Sequence, residues 1–170
     1  HWESRVINVF SLISIRPFRL LWFSLTSLFV HPLFSLDFVK DAVNKASKNN
    51  TTANNNTAFG KSSLTANTTG AANTAVGSNS MLATTTGSDN VAVGTSTLQD
   101  NTTGGNNTAI GRSALQNNTN GTNNTALGRE ALEANTTGDH NVAVGYQSLE
   151  NNTTGEYNVA IGTEALESNI

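Results

Sequence analysis

The stretch Asn107 to Gly128, NTAIGRSALQNNTNGTNNTALG, decides the fold. It opens and closes on one pattern, Asn-Thr-Ala-apolar-Gly, and the second copy begins seventeen residues after the first. Worked outward in both directions, the pattern starts at Asn56, Asn73, Asn90, Asn107, Asn124, Asn141 and Asn158, and ends on Gly60, Gly77, Gly94, Gly111, Gly128, Gly145 and Gly162. Four residues after each glycine stands Leu64, Met81, Leu98, Leu115, Leu132, Leu149 or Leu166. A second glycine column follows at Gly70, Gly87, Gly104, Gly121, Gly138 and Gly155, usually closing Asn-Thr-Thr-Gly. Seven copies contain no insertion or deletion. A constant period is what a solenoid requires, because one extra residue would shift every later contact between coils.

Within a coil, Thr-Ala-apolar-Gly alternates as a short strand does. It sets Thr57 and Phe59 on one face and Asn56, Ala58 and Gly60 on the other. The Asn-Thr-Thr-Gly segment carries turn chemistry. Segments such as Arg129 to Glu133 have the composition for one helical turn, with an Arg129/Glu133 pair at i,i+4. A single coil offers too little apolar surface to offset the entropy of ordering seventeen residues. The expected fold is therefore an all-β repeat, a parallel β-roll or β-solenoid with 17-residue coils, stabilised by ladders between coils and by other chains. The small Asn-Ala-Gly face, with Asn107, Ala109 and Gly111, Asn124, Ala126 and Gly128, and Asn141, Ala143 and Gly145, suits close approach of another backbone. The bland alternative, a disordered Asn/Thr/Gly linker, does not account for Ala and Leu held in register.

Composition divides the chain at about residue 50. Both Pro, both Trp and six of seven Phe precede residue 39, while all 14 Gly follow residue 59. Residues 1 to 55 carry six Lys/Arg against three Asp/Glu, and residues 56 to 170 carry three against nine. We read residues 1–50 as a hydrophobic helical leader and 51–170 as seven repeats, C-terminally incomplete. Val6 to Ile15 and Leu20 to Leu36 are apolar blocks, and the second has seventeen residues free of Asp, Glu, Lys and Arg. That length sits at the lower limit for a membrane span, with Arg16 and Arg19 before it. A secretory signal, in-frame upstream sequence and a cap for the first coil are the competing readings of the leader. Any membrane association would run through it.

The quoted columns, with Asn-Val-Ala-Val-Gly at Asn141 and Asn-Val-Ala-Ile-Gly at Asn158, resemble the head repeats of trimeric autotransporter adhesins. They are also similar to the Asn-Thr-Ala-Ile-Gly and Asn-Thr-Thr-Gly repeats of phage tail-fibre proteins. The resemblance covers residues 56 to 170. It implies a homotrimeric roll or solenoid on a cell surface or virion tail fibre, serving as shaft or adhesin toward a host-surface or matrix ligand. Autotransporter head repeats are usually shorter, so their handedness is not carried over. On this reading the structural columns are Asn107, Ala109, Ile110, Gly111, Leu115, Gly121, Asn124, Ala126, Leu127, Gly128, Leu132, Gly138, Asn141, Ala143, Val144, Gly145, Leu149 and Gly155.

The columns carry no catalytic or ligand motif. With no Cys, disulfide frameworks and thiolate metal sites are excluded. A net charge of -3 gives no electrostatic basis for nucleic-acid binding. His1, His31 and His140 lack partners at metal spacing, and Phe59-Gly60-Lys61-Ser62 lacks the earlier glycine of a phosphate loop. Glu133, Glu150 and Glu167 form one acidic column and Glu130 and Glu164 another, which reads as a solvated face. Asn-x-Thr sequons at Asn67, Asn101, Asn135 and Asn152 follow from the repeat itself. No cofactor, metal or enzyme is expected. The alternative function is a monomeric ligand-binding solenoid such as an ice-binding protein, suggested by the column Thr68, Thr85, Thr102, Thr119, Thr136 and Thr153. Adjacent Thr residues before a turn glycine point in different directions, which counts against a flat ice-binding array.

Overall fold

A computed structural model describes Asn49 and residues 51–169. The expected helical leader, including the short amphipathic segment Asp37 to Lys48, lies outside the described residues. The repeats form seven strands of three residues each: β1 (Thr57–Phe59), β2 (Thr74–Val76), β3 (Val91–Val93), β4 (Thr108–Ile110), β5 (Thr125–Leu127), β6 (Val142–Val144) and β7 (Val159–Ile161). They make one parallel sheet in sequence order, and each strand pairs with the next in the register the columns require, Ala109 opposite Ala126 and Ala126 opposite Ala143. The expected parallel β-solenoid with 17-residue coils is the observed fold.

The core is narrow and repeats coil by coil. The middle residue of each strand points inward, so Ala75, Ala92, Ala109, Ala126 and Ala143 are fully buried. Opposite them lie Leu64, Met81, Leu98, Leu115, Leu132 and Leu149, also fully buried. One leucine or methionine and one or two alanines per layer, beside buried Asn and Ser or Thr, fill a coil too thin for two large apolar side chains. The backbone that approaches the small Asn-Ala-Gly face is therefore the next coil of the same chain. At Gly111 a side chain would overlap the Gly128 carbonyl, and the backbone there has φ 131°, a conformation open to glycine.

No helix occurs among the described residues, and the segment read as a helical turn is a pair of tight bends. Glu130 and Leu132 both adopt left-handed backbone angles, φ 60° and 52°, which no right-handed helical turn contains. Hydrogen bonding explains the choice. Leu132 N–H donates to the Ser148 carbonyl of the next coil at 3.0 Å and Ala134 N–H to the Glu150 carbonyl at 2.9 Å, so alternate amides are committed between coils rather than along the segment. Arg129 consequently pairs with Glu130, at 2.8 Å, and not with Glu133.

Two buried asparagine ladders fix the stack. In the first, Asn107 donates its Nδ2 to the Gly121 carbonyl at 2.8 Å, while its Oδ1 accepts the Asn124 backbone N–H at 3.0 Å. In the second, Asn118 Nδ2 donates to Asn101 Oδ1 at 2.9 Å and to the Gly121 carbonyl at 3.0 Å, and Asn135 Nδ2 donates to Asn118 Oδ1 at 2.9 Å. Thr84 interrupts the second ladder, and there Asn67 Oδ1 and Thr84 Oγ1 are buried without hydrogen-bond partners. A buried polar atom left unpaired costs about 1–3 kcal/mol.

Restoring the ladder with Thr84→Asn is expected to stabilise the repeats by about 1 kcal/mol, read as a raised denaturant midpoint, whereas Asn118→Ala lowers it by about 2–3 kcal/mol. Ala126→Leu overfills the coil and costs about 1–3 kcal/mol, while Thr125→Val on the outer face leaves the midpoint nearly unchanged.

Candidate functional site

Because the central strand residue faces inward, the flanking two face outward. Seven coils therefore print two continuous columns on the open face of the sheet: Thr57, Thr74, Val91, Thr108, Thr125, Val142 and Val159, and beside them Phe59, Val76, Val93, Ile110, Leu127, Val144 and Ile161. Phe59 is 51% exposed, Ile110 44% and Ile161 71%. Parallel strands about 4.8 Å apart make this a stripe about 29 Å long. Neither column holds a charged residue in any coil. The second column is apolar throughout and the first mixes Thr with Val, which makes the stripe the candidate interaction surface of the described residues.

The structural columns thus separate into two groups. Asn107, Asn124, Asn141, Ala109, Ala126, Ala143, Leu115, Leu132 and Leu149 are buried, as are Gly121 and Gly138, while Gly111, Gly128, Gly145 and Gly155 are half-buried. Ile110, Leu127 and Val144 alone among them face out, Ile110 exposed and the other two half-buried. Sequence alternation separates the two faces but points to the small one as the contact surface, whereas the structure buries its alanines Ala109, Ala126 and Ala143 inside the coil. The signal that separates them is the fixed Leu column, which needs the Ala side as its packing partner.

Charge borders the stripe unevenly. Lys61, Arg112 and Arg129 stand two residues beyond strand ends and are exposed, and Glu130 and Glu164 stand three beyond the ends of β5 and β7. Asp89 lies two residues before β3, and Asp139 and Glu156 lie three before β6 and β7. Arg129 also sits 5.5 Å from the Tyr146 ring centre, and His140 stacks on Tyr157 at 4.9 Å with the planes 14° apart.

The two acidic columns meet at Glu130, Glu133 and Glu150, which bring one carboxylate oxygen each within 4.8 Å of the others. Glu130 is compensated by Arg129 and by Gln147 Nε2 at 3.2 Å. Glu133 is held above its ordinary carboxyl range by burial first, then by repulsion from Glu130 and Glu150, against a smaller pull from Arg112 and Arg129. Its folded form therefore binds a proton more tightly than the unfolded chain does, so the penalty is present at neutral pH and is relieved as pH falls through the raised value.

The threonine column is not free for a ligand. Thr68, Thr85, Thr102, Thr119 and Thr136 each donate their hydroxyl to the threonine carbonyl one coil on, at 3.0–3.1 Å. Likewise the sequon residues Asn67, Asn101, Asn135 and Asn152 are fully buried, and a glycan cannot be attached to them in the folded state. Comparison of the chain with family models, curated proteins and solved structures finds no match.

Glu133→Gln is expected to stabilise the repeats at pH 7 by no more than about 1 kcal/mol, given partial exposure, and to flatten the gain in stability that the parent shows between neutral and mildly acidic pH. Denaturation midpoints across that range check both.

Proposed function

We propose that the repeats are a non-enzymatic structural segment of a surface fibre, a shaft or adhesin, assembled as a homotrimer outside the cell or on a virion tail. The observation that carries this reading is the uncharged stripe along all seven strands, one column of it apolar at every position. A partner must cover it along its length, and a second copy of the chain is certain to share its coil spacing. The resemblance of the Asn-Thr-Ala-Ile-Gly and Asn-Thr-Thr-Gly columns supports three copies and a role in attachment. The buried residues of each coil serve packing and ladders, which suits a load-bearing element. The ice-binding alternative loses its main support, because the hydroxyls it would use are spent between coils.

The full chain is expected to sediment as an elongated particle with three times the chain mass, and to lose β-sheet circular dichroism when dissociated. A compact, stably folded monomer at micromolar concentration would overturn the homotrimer.

A further inference from the structure

Asn120 is the only asparagine in the chain that is followed by glycine. Its column otherwise holds Thr69, Thr86, Thr103, Thr137 and Thr154, so a single coil carries a side-chain amide at this turn. From its chemistry and its place in the stack we infer that Asn120 is a self-modification site. The folded protein converts it to an isoaspartyl linkage, which inserts one atom into the main chain of a coil whose length is fixed. The inference is independent of the fibre reading.

The reaction needs an accessible amide and a following backbone nitrogen free to attack it. Asn120 is exposed. Its Oδ1 lies 3.3 Å from Thr102 Oγ1, a hydroxyl already donating to the Thr119 carbonyl at 3.0 Å, so the amide is loosely held. Gly121 N–H is the third donor to the Thr136 carbonyl, at 3.4 Å, behind Thr119 at 2.9 Å and Asn120 at 3.1 Å. A bond that long does little to hold the nitrogen back. Glycine also has no side chain to crowd the approach. The ladder asparagines lack these features: Asn107 and Asn118 are fully buried, their amides are bonded, and each precedes a β-branched threonine.

The atoms balance with water as the only co-reactant. The Gly121 nitrogen gives up its proton and bonds to Asn120 Cγ, while the Cγ–Nδ2 bond breaks and ammonia leaves with that proton. Water then opens the cyclic imide. Opening at the Asn120 main-chain carbonyl leaves the chain running through Cβ and Cγ, the isoaspartyl product, whereas opening at Cγ gives ordinary aspartate.

The lengthened bond path falls where the stack has least slack. Both asparagine ladders converge on Gly121, whose carbonyl accepts Asn107 Nδ2 at 2.8 Å and Asn118 Nδ2 at 3.0 Å. The linkage adds about 1.5 Å of main chain immediately before it. No room exists to take this up, since even a Cβ on Gly121 would overlap Asn118 Oδ1 and the Gly138 carbonyl. Each coil is held by its neighbours, so a displaced Gly121 loosens the contacts on both sides.

The full-length protein would be kept folded in warm, mildly alkaline buffer, and amide loss would be located by peptide mass spectrometry with enzymatic isoaspartyl detection. Conversion at Asn120 is expected to exceed that at Asn79, which precedes Ser80, and that at Asn118, each several-fold. Conversion no greater than at Asn118 would overturn the site. Asn120→Thr, the residue of the other coils, is expected to abolish it. The isoaspartyl fraction, isolated by chromatography, then tests the consequence by hydrogen exchange. The Thr102 and Thr119 amides, which donate to the Thr119 and Thr136 carbonyls across this turn, are expected to exchange several-fold faster than in the parent. Asn120→Asp has the same charge on an ordinary backbone and is expected to match the parent. Unchanged exchange in the isoaspartyl fraction, or an equal rise in Asn120→Asp, would overturn the effect of the added atom.

Discussion

Everything in this protein depends on the hydrogen-bonded registry of one coil on the next. The buried asparagine amides enforce it twice in each layer except the one where Thr84 breaks the second ladder, since each amide oxygen in a ladder finds its donor on an aligned neighbour. Asn107 bonds the Gly121 carbonyl and receives the Asn124 N–H, and Asn118 reaches back to Asn101. A coil of eighteen residues would leave such groups buried and unpaired, at a cost comparable to the stability of a small domain if repeated. This is the physical reason that seven copies keep one length while their exposed positions vary freely.

The ladders also carry backbone strain. Leu115, Leu132 and Leu149 all sit in the left-handed region, near φ 51°, which costs roughly 1–2 kcal/mol for a residue with a side chain. It is tolerated because the bend accompanies burial of the leucine in the alanine-lined core and commits its N–H to the next coil, as in Leu132 toward Ser148. Local preference is overruled by contacts made between coils. The same balance explains why Arg129 to Glu133, a sequence with good helical propensity, is not helical.

A coil narrow enough to be filled by one leucine or methionine, one or two alanines and a few small polar side chains has no room for the outer strand residues. Val, Ile, Leu and Phe at those positions are left on the surface, and their regular spacing lines them up as an extended apolar stripe. The proposed fibre draws on that geometry, since a second copy would match the periodic apolar stripe coil for coil.

The sequence by itself determined the period, the parallel solenoid, the strand positions and the two glycine columns, because each depends on residues repeating at fixed separation in one chain. It also showed that the strand has two faces. Only the tertiary structure decided which of them is inside, since that depends on Leu115 and its equivalents bending across the coil to meet Ala109 and its equivalents. The structure likewise decided that the Thr102 hydroxyl is spent on the Thr119 carbonyl and that Glu130, Glu133 and Glu150 converge. Those contacts join residues through space across coils, where side-chain direction is set by backbone bends that propensity and periodicity do not encode.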